Sequence, residues 1–191
     1  MDIGIALLLL TALGLLMLLI AAAIRLETPG PVLFRQRRIG FANVPFDILK
    51  FRTMRHDGRP GRPVQVTRHD PRVTRVGALL RRTSIDEFPQ LINVLRGDMS
   101  IVGPRPHAPG TCAGGTPFEM VTPCYAWRHR VRPGMTGLAQ VRGWRGETET
   151  EAKLVHRIEA DLEYIDNWSL RLDAMILART AVSLMTMRNA Y

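Results

Sequence analysis

The sequence predicts a helix-rich α/β domain with a short sheet, held to a membrane by an N-terminal helix and by amphipathic interfacial helices. Three observations carry that expectation. Ile3 to Ile24 contains no charged residue. The last third of the chain places apolar residues at helical spacing, and two short apolar segments flank a turn in the manner of strands. The chain has 191 residues, enough for one ordinary domain. Nearly all of its charge lies outside the apolar run. A simple soluble globule and a polytopic membrane protein are both excluded.

The elements follow in order. As a helix, Ile3 to Ile24 reaches roughly 33 Å, enough to cross the hydrocarbon core. It is a poor signal peptide, because Asp2 precedes it and Arg25-Leu26-Glu27 stands where a cleavage site belongs. Residues 1–27 therefore read as a membrane-anchoring helix, re-entrant or spanning, with Gly14 and Thr11 as the candidate bend. Arg25, Arg35, Arg37 and Arg38 crowd its C-terminal flank, which places residues 28–191 in the cytoplasm by the positive-inside tendency. Thr28-Pro-Gly-Pro31 turns the chain away from the membrane. Val32 to Phe34 and Phe46 to Phe51 read as strands around a turn at Gly40 to Pro45. Asp57 to Pro63 is a polar loop, and Val76 to Arg82 a short basic helix. A helix is predicted from Asp86 to Arg96, with Phe88, Leu91, Ile92 and Leu95 as its apolar face and Gly97 as its stop. Pro104 to Pro123 reads as irregular. Glu147 to Tyr164 is a helix with Leu154, Ile158, Leu162 and Ile165 on one side. From Leu170 to Met187 a stripe of Leu170, Ala174, Leu177, Ala181, Leu184 and Met185 packs either on the core or in the membrane interface.

The charge points to phosphate. Net charge is +9, and all 26 basic residues except Lys50 and Lys153 are Arg, whose planar fork of donors suits phosphate oxygens. Lipid headgroups, nucleotides and nucleic acid are the partner classes that follow. Cys112 and Cys124 are too few for a disulfide framework and fit a reducing compartment. His56, His69, His107 and His156 are scattered, and no Cys/His set has zinc spacing. No Walker-type or dinucleotide glycine fingerprint is present.

The chemistry concentrates in Arg81-Arg-Thr-Ser-Ile-Asp-Glu-Phe-Pro-Gln90. Pro89 cannot lie deep inside a helix, so Asp86 and Glu87 fall at a helix start. Ser84-x-x-Glu87 matches a capping box, and Asp86 is a common cap. The alternative is chemical. A helix N-terminus keeps carboxylates ionised and attracts phosphate. An ionised Asp flanked by Arg81 and Arg82, with a divalent cation, can attack phosphorus. Downstream, Gly103-Pro-Arg-Pro106 fixes the backbone on both sides of Arg105, either as a surface turn or to aim that arginine. Arg128 to Gln140, which includes Arg132, lines a nucleotide diphosphate pocket or a basic lipid-facing surface.

These residues carry a resemblance. Thr28-Pro-Gly-Pro-Val-Leu-Phe-Arg-Gln-Arg-Arg-Ile-Gly40 resembles the opening segment of the bacterial sugar transferase family, the small monotopic phosphoglycosyl transferases. Phe46 to Met54, Asp70 to Gly77, Ser84 to Pro106, Arg128 to Gly143 and Asp161 to Asp173 continue it in order over almost the whole chain. The resemblance implies transfer of a sugar 1-phosphate from a UDP-sugar to undecaprenyl phosphate with release of UMP, by a Mg²⁺-dependent ping-pong mechanism. It implies that Asp86 attacks the β-phosphorus, and it places the metal there. Glu87 is then the paired acid, in proton transfer or metal positioning. Arg105 is a phosphate-binding arginine, and Arg81 and Lys50 are basic site residues. Arg132 and Gln140 join them as substrate-binding candidates. A monotopic protein of the bacterial inner membrane follows, in the small catalytic-core form. Its partners are UDP-sugar, undecaprenyl phosphate and the bilayer, with no nucleic acid; a homodimer is left open.

Two departures stand out. Met1-Asp2 replaces the family's basic pair and Phe-Asp, and Gly14 stands where the family's anchor carries a bending Pro. A membrane-anchored basic module that binds nucleic acid or anionic lipid is the alternative reading. It explains the charge but not the Asp86-Glu87 pair.

Overall fold

In a computed structural model, residues 1–55, 70–146 and 148–185 are described. The polar loop predicted at 57–63, with His56 and His69, lies outside them. Among the described residues the chain is helix-rich with three two-stranded sheets, in agreement with the predicted class.

Helix α1 (Asp2–Glu27) is one continuous helix. The bend expected at Gly14 does not occur. A lone Gly costs a helix only about 1 kcal/mol relative to Ala, which does not break it, although Thr11 donates back to the Leu7 carbonyl, a contact that tends to bend helices. Both halves of α1 lie against the domain. Ala6 is buried in the main core with Tyr164 and Ile176, while Ile20 and Ile24 pack on Phe51 and Leu80. The opposite face, including Leu8, Leu15 and Leu18, is exposed. At its C-terminus, the buried Arg52 donates to the carbonyls of Thr28 (2.7 Å) and Pro29 (2.8 Å). That is the favourable place for a cation on a helix dipole.

Strands β1 (Leu33–Ile39) and β2 (Pro45–Phe51) form the predicted hairpin, with Leu33 opposite Phe51 and Ile39 opposite Pro45. Helix α2 (Arg75–Thr83) is capped by Thr74, and the Glu27 carboxylate also accepts from its first amides, Arg75 (2.7 Å) and Val76 (3.1 Å). Helices α1 and α2 are thereby tied together.

The helix predicted from Asp86 is two pieces. Ile85–Glu87 is a single 3₁₀ turn, and α3 (Gln90–Arg96) begins after Pro89. Gly97 ends it at φ 81°, as expected. Buried Asn93 joins α3 to β2, donating to Asp47 O (2.8 Å) and accepting from Leu49 N (2.9 Å). The next strand, β3 (Ser100–Val102), pairs in parallel with β6 (Gly134–Thr136). Their ends approach so closely that a Cβ on Gly134 would lie 2.1 Å from Gly103 N, which explains both glycines.

The stretch predicted as irregular holds a small hairpin, β4 (Cys112–Ala113) and β5 (Thr116–Pro117), and a short helix α4 (Phe118–Val121). Ala113 and Phe118 seat it on Leu154 and Ile158 of α6 (Glu151–Asp166). Short α5 (Leu138–Val141) follows β6. Helix α7 (Leu170–Met185) follows the expected stripe in part, with Leu177 packed against the core. Its packed face carries Asp173, Ile176 and Thr180, whereas Leu170, Ala174 and Ala181 are exposed. Polar partners select that face: Asp173 accepts from Tyr164 (2.9 Å), and Thr180 meets Thr136 (2.7 Å).

Candidate active site

Asp86 and Glu87 sit on the 3₁₀ turn between α2 and α3. Ser84, just before it, adopts the left-handed conformation at φ 58°, uncommon for a residue with a side chain. Its hydroxyl accepts a hydrogen bond from Arg145 (2.6 Å) rather than capping a helix. The capping-box reading is therefore corrected. Glu87 does not reach back to Ser84 but is held across the site. With α3 only seven residues long and starting beyond Pro89, the helix-dipole argument for the pair also falls away.

Glu87 is gripped from two sides. Arg105 donates from both terminal nitrogens, Nη1 at 3.0 Å and Nη2 closer still, and Lys50 Nζ donates at 2.9 Å. Such bidentate, charge-assisted contacts are the strong kind. Burial alone would raise the Glu87 carboxyl, but Arg105 and Lys50 outweigh it and hold the group far below the usual carboxylate range. Asp86 is the converse. It makes no hydrogen bond among the described residues. Burial, reinforced by the Glu87 charge, pushes it up to about 6, against the pull of Lys50, Arg105 and Arg81. Adjacent carboxylates are thus split into a neutralised anchor and an unengaged acid.

Both carboxylates line a cavity of about 1850 Å³. Lys50, Arg81, Arg105 and Gln140 line it too, as the sequence predicted. Both polar atoms of the Gln140 carboxamide are buried without a partner, which suits a residue kept for a ligand. Arg132 is not brought there. It is exposed just before Pro133, with its guanidinium near Gly97 at the end of α3. Position within a motif had suggested it, but the turn into β6 points it away. Leu9 and Leu13 of α1, with Leu33, Phe34 and Leu177, give the cavity an apolar wall. Reasoning from sequence missed Ser84, Arg145 and this contribution of α1. Only the i, i+4 spacing of Leu9 and Leu13 hinted at the last.

Part of the arginine excess is internal. Arg52, Arg128 and Arg157 are buried at 6%, 2% and 9% exposure, each with backbone or side-chain partners. His107 is buried beside Arg128, and burial and that cation hold it well below its ordinary pKa. No group of three or more His, Cys, Asp or Glu side chains could hold a metal among the described residues. Mg²⁺ does not need one, since it binds through one or two carboxylates together with substrate phosphates and water. The unengaged Asp86 fits that mode.

A family profile described as bacterial sugar transferase matches residues 1–187. The chain belongs to that family. One similar protein is the UDP-glucose:undecaprenyl-phosphate glucose-1-phosphate transferase of Caulobacter vibrioides, 54% identical over 193 residues, which cover 100% of this chain and 70% of the relative. The Escherichia coli protein of the same description is 47% identical over 190 residues, covering 100% of this chain and 40% of the relative. A UDP-N-acetylgalactosamine-undecaprenyl-phosphate N-acetylgalactosaminephosphotransferase of Aeromonas hydrophila is 42% identical over 188 residues, 97% of this chain and 43% of the relative. The chain thus spans less than half the length of the last two. A bacterial sugar transferase with one long apolar helix is a membrane-associated protein.

Proposed function

We propose that this bacterial sugar transferase moves glucose 1-phosphate from UDP-glucose to undecaprenyl phosphate, releasing UMP, through a covalent phosphosugar ester on Asp86. The observation that carries this reading is the split pair. In one cavity, Glu87 is neutralised by Arg105 and Lys50 while Asp86 keeps its carboxylate free. The names of relatives at 54% and 47% identity support the donor and acceptor.

An Asp86 oxygen attacks the β-phosphorus, and the bond to the oxygen bridging the two phosphates breaks. UMP leaves with that electron pair. An oxygen of the acceptor phosphate then attacks the same phosphorus, and the Asp86 ester breaks to restore the carboxylate. With both phosphates ionised, neither step requires a proton from Glu87. Lys50, Arg81 and Arg105 line the cavity and balance charge on the phosphate oxygens. Asp86 would hold Mg²⁺ with the donor's phosphates, and the bound ion neutralises charge that otherwise keeps a carboxylate from a diphosphate. Gln140 offers one donor and one acceptor to the donor substrate.

The apolar wall formed by Leu9, Leu13, Leu33, Phe34 and Leu177 suits the acceptor's isoprenoid chain. Residues 1–27 anchor the protein in the cytoplasmic leaflet of the bacterial inner membrane, and 28–191 form the catalytic domain on the cytoplasmic side. The exposed Leu170, Ala174 and Ala181 of α7 meet the membrane interface.

The test is UMP release from a panel of UDP-sugars with undecaprenyl phosphate in detergent. UDP-glucose is expected to be the best donor. With UDP-glucose alone, mass spectrometry should find a phosphohexose adduct on the Asp86 peptide, and Asp86→Asn should lose both adduct and turnover. An Asn variant that retained more than a few per cent of activity would remove Asp86 from this role.

A further inference from the structure

Arg105 lies between two prolines, so the strap Pro104–His107 has few amides to hold it. It is held by its carbonyls instead. Gly134 N donates to Pro104 O (2.9 Å), Arg128 Nη2 to Arg105 O (2.6 Å), Arg38 Nη1 to Pro106 O (3.2 Å) and Ile39 N to His107 O (3.2 Å). Four consecutive carbonyls are engaged by partners from three separate parts of the chain.

Arg128 differs from the other three. It is among the largest fully buried side chains, at 2% exposure. Its Nε and Nη2 both donate to Asp161 Oδ2, the former at 3.0 Å. Nη1 meets His107 Nδ1 at 2.8 Å. Asp161 is itself 2% exposed and comes from α6, whereas Lys50 and Arg105, which hold Glu87, come from β2 and the strap. A buried ion pair is weak as a stabiliser, because desolvation offsets most of its attraction, and apolar replacements are often neutral or better. Its directional value is another matter. A planar guanidinium fixed by a carboxylate and an imidazole can present one N–H to one carbonyl and to nothing else.

We propose that Arg128 and Asp161 are positioning residues for Arg105. Both border the same cavity but are 2% exposed, and they act by setting the backbone from which Arg105 reaches Glu87 and the donor's phosphates. The inference rests on the phosphate-binding role of Arg105 given above. Failure of that reading is recognisable separately, as absence of UMP release from the wild type.

The experiment is a mutant cycle on UMP release, read as kcat and KM for the UDP-sugar. Asp161→Asn and Arg128→Lys should each lower kcat/KM by about tenfold or more, since an ammonium cannot serve the carboxylate, the imidazole and the carbonyl together. The apolar double variant Arg128→Met/Asp161→Leu should keep a cooperative thermal transition near that of the wild type, yet stay as slow as Arg105→Ala. Adding Arg105→Ala to that double variant should then cost less than threefold, because coupled residues are non-additive. Wild-type kcat/KM in the apolar double variant would overturn the proposal. So would an Arg105→Ala penalty as large there as in the wild type. If every variant unfolds, the pair is a folding element and the proposal is equally overturned.

Discussion

Arg105 grips Glu87 with both terminal nitrogens across 18 positions of sequence, and so leaves the adjacent Asp86 as the unengaged carboxylate. Two acids side by side cannot both ionise freely in a half-buried turn. The fold resolves the competition by supplying cations to one of them. Lys50 arrives from β2 because Asn93 pins that strand to α3, and Arg105 arrives from the strap after β3.

Arg105→Ala should therefore cost far more than removal of an ordinary surface arginine. We expect kcat/KM to fall by roughly a hundredfold, the scale of losing a donor to transition-state charge. Arg142 pairs with Glu163 on the surface, and Arg142→Ala should change kcat/KM by less than about twofold. Equal losses in steady-state UMP release would show that overall basicity matters rather than this strap.

Asp86 should destabilise the fold when ionised. Its carboxyl is raised from 3.8 to about 6 by burial and by Glu87. A raised folded-state pKa means that the stability is fully present below the unfolded value of 3.8 and is lost as pH rises through about 6. Asp86→Asn resembles the protonated form. In EDTA it should be more stable than the wild type at pH 8, by roughly 1–3 kcal/mol, with the gain vanishing below about pH 4. Urea unfolding at the two pH values measures this, and a gain independent of pH would refute the burial argument.

Turnover should stop in EDTA and return with Mg²⁺. The cavity's cations are partly committed, since Lys50 and Arg105 are bound to Glu87, so neutralisation of a diphosphate next to Asp86 needs added positive charge. Undiminished UMP release in EDTA is the contrary result.

The N-terminus should remain on the side of the catalytic domain. Burial and the hydrogen bond to Asp173 raise the Tyr164 phenol, and the Asp2 charge adds to it, so the start of α1 lies near the same domain as its end. With Cys112→Ser and Cys124→Ser in place, a Cys at position 2 should react with an impermeant thiol reagent only after the cytoplasmic membrane is opened. Labelling in intact cells would mean that the helix spans.

The sequence by itself determined the long apolar helix, the hairpin, the stop at Gly97 and most of the polar candidates that line the cavity. Local signals suffice for these: an uncharged run, a turn between apolar segments, a glycine after a helical face, and long motifs held in order. The same signals misled where the outcome depended on a distant partner. Ser84-x-x-Glu87 has the pattern of a cap, but Lys50 and Arg105 compete for Glu87 and win because they bring charge. The Leu170 stripe turns inward only in part: Leu177 packs on the core, while Leu170, Ala174 and Ala181 stay exposed because Asp173, Ile176 and Thr180 take the inner face. Gly14 could have bent α1, but the helix rests on the domain along both halves and stays whole. Arg132 and Arg128 share one motif, and only packing sends the first to the surface and the second into the core. A side chain's type is written in the sequence. Which of two neighbouring acids keeps its charge unpaired is decided by groups that the chain brings together only when it folds.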